Sequence, residues 1–277
     1  MPKTWFITGA TSGLGLEMAQ QLLAEGHTVI ATARRPEALA KLVQDHPARL
    51  EVIELDLMAP DSIAPAVEKA FGRHERIDVI VSNAGYGLFG AAEELSKAQI
   101  DRQIAINLAG SIHLIRTALP FLRRQGGGRI VQVSSEGGQI AYPGFSLYHA
   151  TKWGIEGFVE AVAQEVAPFG IDVIIAQPGP TATNFGANLD RAEPLAAYEE
   201  TPAGTVRRAI GDGSFEIKGD AARTVAAIIS AAGSKSPPLR LTLGSTAYSS
   251  ISQALSARLS ALEAQRDVAH SADRQNP

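Results

Sequence analysis

Cysteine is missing from the sequence altogether. Disulfides, thiolate-held zinc and thiol nucleophiles are excluded with it. Histidine is scarce, six in 277 residues, and shows no H-E-x-x-H or other ligand spacing, so no catalytic metal is expected. An excess of basic charge is also lacking: 25 Lys and Arg stand against 29 Asp and Glu, a net charge of -4. A nucleic-acid partner, which needs a basic face, is therefore not expected. No internal repeat or low-complexity tract occurs. The reading finds no apolar run long enough to span a bilayer and no room for a signal peptide, because "MPKTWFITGA" leads straight into strand-like residues. The expectation is a cytoplasmic protein with no membrane partner.

What is present is enough apolar material for a large core, 45% of residues, with 19% charged. Short β-branched runs recur at 4–8, 28–33, 50–55, 77–82, 129–134, 171–176 and 239–243, each reading as a buried strand. Between them, segments 14–25, 61–72, 98–124 and 148–167 carry apolar residues at helical spacing. Strands alternating with helices predict right-handed βαβ units, hence an α/β fold: a single doubly wound, Rossmann-type domain over residues 1–277, with a seven-stranded parallel sheet and helices on both faces. The stretch 178–219 breaks the rhythm and is longer than an ordinary connection, which marks it as a substrate lid. Residues 246–266 read as a terminal helix, followed by a polar tail to residue 277 that should fray.

Two short stretches carry chemistry. "TGATSGLG", residues 8–15, ends the first strand and opens a helix. Its glycines, Gly9, Gly13 and Gly15, permit a tight turn and close approach of a ligand, and the helix N-terminus offers free N–H groups to a pyrophosphate. The spacing is T-G-x-x-x-G-x-G, wider than the generic dinucleotide fingerprint, and a ligand-free turn is the competing reading. "YHATK", residues 148–152, places Tyr148 and Lys152 four apart, on one face of a helix. By spacing alone this pair is either a shared reactive environment or the surface of a helix.

The chain resembles the short-chain dehydrogenase/reductase family up to about residue 243. The resemblance rests on the glycine turn, "DL" at Asp56 and Leu57, "NAG" at Asn83, Ala84 and Gly85, Asn107, "SS" at 134 and 135, the Y-x-x-x-K of Tyr148 and Lys152, and "PGPTAT" from Pro178. It implies an oxidoreductase that interconverts a ketone or aldehyde and its alcohol by hydride transfer. Ser135, thirteen residues before Tyr148 as in the family pattern, would then bind the substrate oxygen. Lys152 would hold the nicotinamide ribose, and Asn107 would anchor a water relay. Among cofactor contacts, Thr11, Ser12 and Leu14 would join the glycines, Asp56 and Leu57 would flank the adenine, and Asn83 to Gly85 would support the middle of the cofactor. Pro178, Gly179, Thr181 and Thr183 would lie on the nicotinamide side, with Tyr148 and Lys152. A free tyrosine titrates near pH 10, and the Lys152 cation should lower that value so that Tyr148 can serve as general acid in reduction and base in oxidation. Subunits of the family commonly pair through the helices matching 98–124 and 148–167, so a homodimer or homotetramer is expected.

The end of the second strand decides the nicotinamide cofactor. Enzymes that read NAD place an acid there, whereas this chain has Ala33 followed by Arg34 and Arg35, suited to a 2′-phosphate. NADP(H) is the expected cofactor, although Ser12 stands where many NADP-preferring relatives carry a basic residue. For the substrate, Tyr86, Leu88, Ile140, Tyr142, Phe145, Phe185, Leu189 and Tyr198 are either walls of an apolar pocket or core and interface residues. Glu136 reads as a solvated loop charge. His149 and Trp153 receive no role, since neighbouring helix residues face different ways. The alternative to an enzyme is a regulator that binds NADP(H) on the same fold without turnover.

Overall fold

A computed structural model describes residues 1–274. Seven strands form one parallel sheet: β1 (Thr4–Ile7), β2 (Thr28–Ala33), β3 (Leu50–Glu54), β4 (Val79–Ser82), β6 (Gly128–Val133), β7 (Ile171–Pro178) and β9 (Arg240–Leu243). Their order across the sheet is β3-β2-β1-β4-β6-β7-β9. The remaining two strands, β5 (Leu88–Phe89) and β8 (Asp190–Arg191), pair with each other in parallel. All seven expected strands are present within one or two residues at their ends.

The strands are apolar on both faces because both faces are covered. Alternate residues feed two cores. Phe6, Ile30, Ile53, Ile80, Ile130 and Ile175 point to one face, where they meet α3 (Pro60–Arg73), α5 (Ser111–Arg124) and α6 (Ser146–Val166). Trp5, Ile7, Val29, Ala31, Val79 and Val131 point to the other, against α1 (Gly13–Ala24), α2 (Ala40–Asp45) and α8 (Ala221–Gly233). Strand order reverses between β1 and β4, and in open parallel sheets the crevice at such a reversal, beyond the carboxyl ends of the strands, is where ligands sit.

The segment expected as one helix over 98–124 is divided. α4 (Lys97–Ile104) runs into a π-helical stretch, Ala105–Gly110, before α5 continues. Lys97–Arg124 runs as one 28-residue helical unit whose most apolar 18-residue window has a mean hydropathy of 1.3, enough by length and composition alone to cross a membrane, contrary to the expectation of no such run. The apolar content also has a use in the sheet: Leu114, Ile115, Ala118 and Leu122 lie in the core.

The stretch 178–219 is more structured than a loop. It contains β8, a 3-10 turn at Ala196–Tyr198 and α7 (Pro202–Gly211). Polar contacts tie its outer half to the segment after β4. Glu94 is buried and accepts from Ala91 N at 2.7 Å, Leu195 N at 2.9 Å and the Arg207 guanidinium at 2.5 Å. Asp190 is held by Arg102 and by Gln99 at 3.1 Å. α8, which the strand-and-helix count passed over, starts where Asp220 caps Arg223 N at 2.7 Å and packs on α1. The C-terminal region forms α9 (Ser245–Glu263) and α10 (Arg266–Ser271). Of the tail expected to fray, residues 275–277 lie outside the described residues.

Candidate active site

The glycine turn is shaped by packing as much as by any ligand. Gly9 has φ +67°, and a Cβ there would stand 2.9 Å from Ala84 Cα. At Gly15 a Cβ would meet Gly9 O at 2.3 Å and Asn83 Nδ2 at 2.5 Å. These two glycines let β1, α1 and the end of β4 close on each other. Asn83 completes the arrangement by donating to Thr8 O at 2.9 Å, while Thr8 Oγ1 accepts from Asn83 N at 2.9 Å and Ala84 N at 3.1 Å. Gly13 is different: at φ +54°, the nearest atom to its absent side chain is Thr183 Cβ at 3.9 Å. Ser12 precedes α1 without a side-chain cap. With Thr11 and Ser12 exposed and Leu14 part-buried, the first turn of α1 turns its N–H groups to an open cradle that fits a pyrophosphate.

Arg34 and Arg35 lie beside this cradle at the carboxyl end of β2. Both are exposed, and neither has a side-chain hydrogen bond or ion pair among the described residues. Two uncommitted guanidinium groups at this edge suit a phosphate monoester. Asp56 spends one carboxylate oxygen on Met58 N at 2.9 Å. Leu57 is buried, and Gly110 in the π-helical stretch leaves just enough room for it, since a Cβ there would approach Leu57 Cβ to 2.8 Å. Of this pair, Asp56 is the part-exposed member. On the opposite side, Pro178 is buried, Gly179 backs onto Ala247, and Thr181 Oγ1 donates to Gly179 O at 2.8 Å. Thr183 faces Gly13 across the cradle.

Tyr148 and Lys152 share one face of α6, with the Lys152 ammonium 5.7 Å from the centre of the Tyr148 ring. Lys152 is buried and donates to Val133 O at 3.1 Å. The adjacent serines differ: Ser134 is buried and donates to Glu156 at 2.7 Å, whereas Ser135 is only part-buried and borders Tyr148. Ser135 Oγ accepts from Gly137 N at 3.1 Å, which leaves its proton free to donate. Asn107 is committed through its side chain, donating to Tyr86 O at 2.8 Å and accepting from Tyr86 N at 3.1 Å. It holds the segment after β4 from within the π-helical stretch, and its amide keeps a second N–H for a further partner.

The charge states differ from the sequence expectation. Burial dominates at Tyr148 and pushes its phenol up to about 12; the Ser135 hydroxyl acts in the opposite direction and the Glu136 carboxylate in the same one. Burial also brings Lys152 down to about 8, against the raising influence of Glu156. In the chain alone desolvation sets the direction at Tyr148, and the expected lowering by Lys152 does not figure among the causes of its shift. Tyr148 carries its proton throughout the neutral range.

Glu136 is not a solvated loop charge. It is 2% exposed, accepts from the Tyr142 hydroxyl, and is raised by burial above the ordinary carboxylate range. His149 also has a place: its Nδ1 pairs with Gly137 O at 2.9 Å and its Nε2 accepts from Tyr142 N at 2.8 Å, so the neutral ring pins the Ser135 loop to α6. Trp153 donates to Ile140 O at 3.1 Å under the Arg258 guanidinium. Of the expected wall residues, Phe145 and Phe185 lie edge-on to Tyr148, at 6.2 and 5.9 Å between ring centres. Leu189 and Phe185 crowd over Gly87. Tyr86 is part-buried under Arg102, and Tyr198 donates to Glu93 at 2.8 Å. Leu88 and Ile140 belong to the core. The sequence reading passed over Glu156, Gln139, Gln177 and Arg240, which converge behind Lys152; the available signal was Glu156, one turn beyond Lys152 on the same face.

Residues 3–194 match the short chain dehydrogenase family. Oxidoreductase BOA17 of Botryotinia fuckeliana is 38% identical over 249 residues, covering 88% of this chain and 89% of that protein. The crystal structure of a short-chain dehydrogenase from Streptomyces avermitilis is 38% identical with a TM-score of 0.90, covering 98% of both chains. A short-chain dehydrogenase from Sphingobium yanoikuyae, in complex with NADPH, is 25% identical with a TM-score of 0.72, covering all of this chain and 98% of that one. The match reaches from the glycine turn past the Tyr148 and Lys152 pair to residue 194, and on it the chain belongs to the short-chain dehydrogenase family of oxidoreductases.

Proposed function

We propose that the protein is an NADP(H)-dependent oxidoreductase that interconverts a ketone or aldehyde and the corresponding alcohol. The observation that carries this reading is the meeting of Ser135, Tyr148 and Lys152 at the carboxyl edge of the sheet, beside the open cradle of Gly13 and the uncommitted Arg34 and Arg35. The N–H groups of the first turn of α1 would hold the pyrophosphate, and the two arginines a 2′-phosphate. When bound, NADPH supplies the hydride.

The chain supplies the proton and the place for the oxygen. Ser135 donates a hydrogen bond to the substrate carbonyl, fixing it next to the phenol. Tyr148, protonated at neutral pH, passes its proton to that oxygen as the alcohol forms, and Lys152 stabilises the phenolate left behind. In the oxidative direction the same phenolate is the base. Phe145 and Phe185 flank Tyr148 with apolar surface, which favours a substrate with hydrocarbon beside the carbonyl. Asn107, His149 and the Glu94–Arg207 pair position these groups and do not react. Screening NADPH oxidation against carbonyl compounds of graded hydrocarbon size tests the reading. Turnover with at least one apolar ketone or aldehyde is expected, and NADPH binding with no turnover across the panel would favour a regulator instead.

A further inference from the structure

One turn beyond Lys152 on α6 stands Glu156, which is 1% exposed. Side chains from four segments fill both of its oxygens. Ser134, at the end of β6, donates at 2.7 Å, Gln139 from the following loop at 2.6 Å, and Gln177 from β7 at 3.0 Å to each oxygen. The Arg240 guanidinium from β9 completes the set. Arg240 also reaches Glu160 at 2.6 Å, and Thr242 fixes Gln177 by donating to its oxygen at 3.2 Å. Four donors and no acceptor suit an ionised carboxylate, since a protonated one would need somewhere to place its hydrogen.

A buried ion pair is weak support for a fold, because well-packed apolar residues often serve as well. The position of this one gives it a further use. We propose that Glu156 is a positioning residue whose fixed negative charge keeps the buried Lys152 ammonium charged beside Tyr148, with Arg240 setting the strength of that influence by neutralising part of it. This rests on the reading of Lys152 as the cation that supports the proton donor. Burial takes Lys152 down to about 8 while Glu156 raises it, so the carboxylate works against desolvation. The surrounding groups are few. α6 itself contributes Tyr148, His149, Glu156 and Glu160; the β6 end and its loop contribute Val133 O, Ser134, Ser135, Glu136 and Gln139. β7 contributes Gln177 and β9 contributes Arg240, while α9 places Arg258 on Gln139 O at 2.6 Å. Of the cations, Arg240 alone pairs with Glu156 among the described residues.

Competitive trace acetylation, followed peptide by peptide from neutral to alkaline pH, reads the ionisation of Lys152 with neither cofactor nor substrate. Wild type should titrate at about 8. Glu156→Gln, which keeps the size and removes the charge, should titrate lower by about one unit. Glu156→Asp, which keeps the charge, should stay with wild type even if it melts earlier, and Arg240→Gln should titrate higher. A folded Glu156→Gln protein in which Lys152 titrates as in wild type would overturn the proposal. If that variant does not fold, Arg240→Gln decides, and an unchanged or lower Lys152 titration overturns it. Absence of carbonyl reduction in all four proteins would count against the proposed reaction and not against this role, because the labelling needs no turnover.

Discussion

At the scale of single residues, the decisive groups are those whose alternatives are already occupied. Ser134 is spent on Glu156 and Asn107 on Tyr86, while Ser135 keeps a free proton and Arg34 a free guanidinium. A charge-assisted contact to phosphate contributes about 1.5–3 kcal/mol. Arg34→Ala should therefore raise the dissociation constant for NADPH about tenfold or more and leave that for NADH nearly unchanged. Fluorescence titration with both cofactors checks this, and equal losses for the two would show that the arginine does not read the phosphate. The pH dependence follows from the two shifts at the centre. Tyr148, pushed up to about 12, remains a proton donor across the working range, whereas Lys152 loses its charge as pH rises through about 8. The reductive rate at saturating cofactor should hold below that point and fall above it; a rate that climbs through the same interval would assign the limb to a different group.

The residues at this scale differ in how far the sequence exposed them. Tyr148, Lys152 and the glycines lie in short local patterns, so spacing and family resemblance were enough to single them out. Glu136 was misread because its loop folds under Tyr142, and nothing in "SSEGG" records that burial. The Glu156 cluster needs Arg240, 84 residues away in sequence, to be recognised. The direction of the Tyr148 shift was out of reach for the same reason, since it depends on how much protein covers the ring.

At the scale of elements, the site depends on how closely β1, α1 and β4 approach. Gly9→Ala must place a side chain in the left-handed region and against Ala84, so a loss of about 1–3 kcal/mol is expected, with weaker cofactor binding. Gly72 in α3 is the control: nothing lies within 4 Å of its absent Cβ, and Gly72→Ala should be neutral or stabilising by about 0.5–1 kcal/mol. Denaturant unfolding of both variants checks the pair, and equal costs would mean that crowding at the turn is not what selects glycine. Strands were legible because Val and Ile runs buried on both faces are distinctive. The π-helical stretch was not, because no local break in periodicity marks it; within it Asn107 meets the backbone of Tyr86. The order within 178–219 was not legible because it comes from outside that stretch, through Glu94, Gln99 and Arg102.

At the scale of the whole molecule, apolar surface remains on the helices that flank the sheet. Only a third of the most apolar part of Lys97–Arg124 is buried, and Ile104, Trp153 and Phe169 are each more than a third exposed. Symmetric self-association would cover such surface. Light scattering should return a mass of two or four times 29.2 kDa, and a mass near 29.2 kDa at micromolar concentration would contradict this.

The account as a whole rests on Tyr148 as the proton donor. Tyr148→Phe keeps the ring between Phe145 and Phe185 and removes only the hydroxyl. The most direct measurement is single-turnover NADPH oxidation by wild type and Tyr148→Phe on a carbonyl compound that wild type reduces. The variant should bind NADPH normally and react about 10²–10⁴-fold more slowly, the usual contribution of general acid catalysis. Comparable rates for the two proteins would contradict the account and leave Tyr148 and Lys152 as no more than neighbours on a helix.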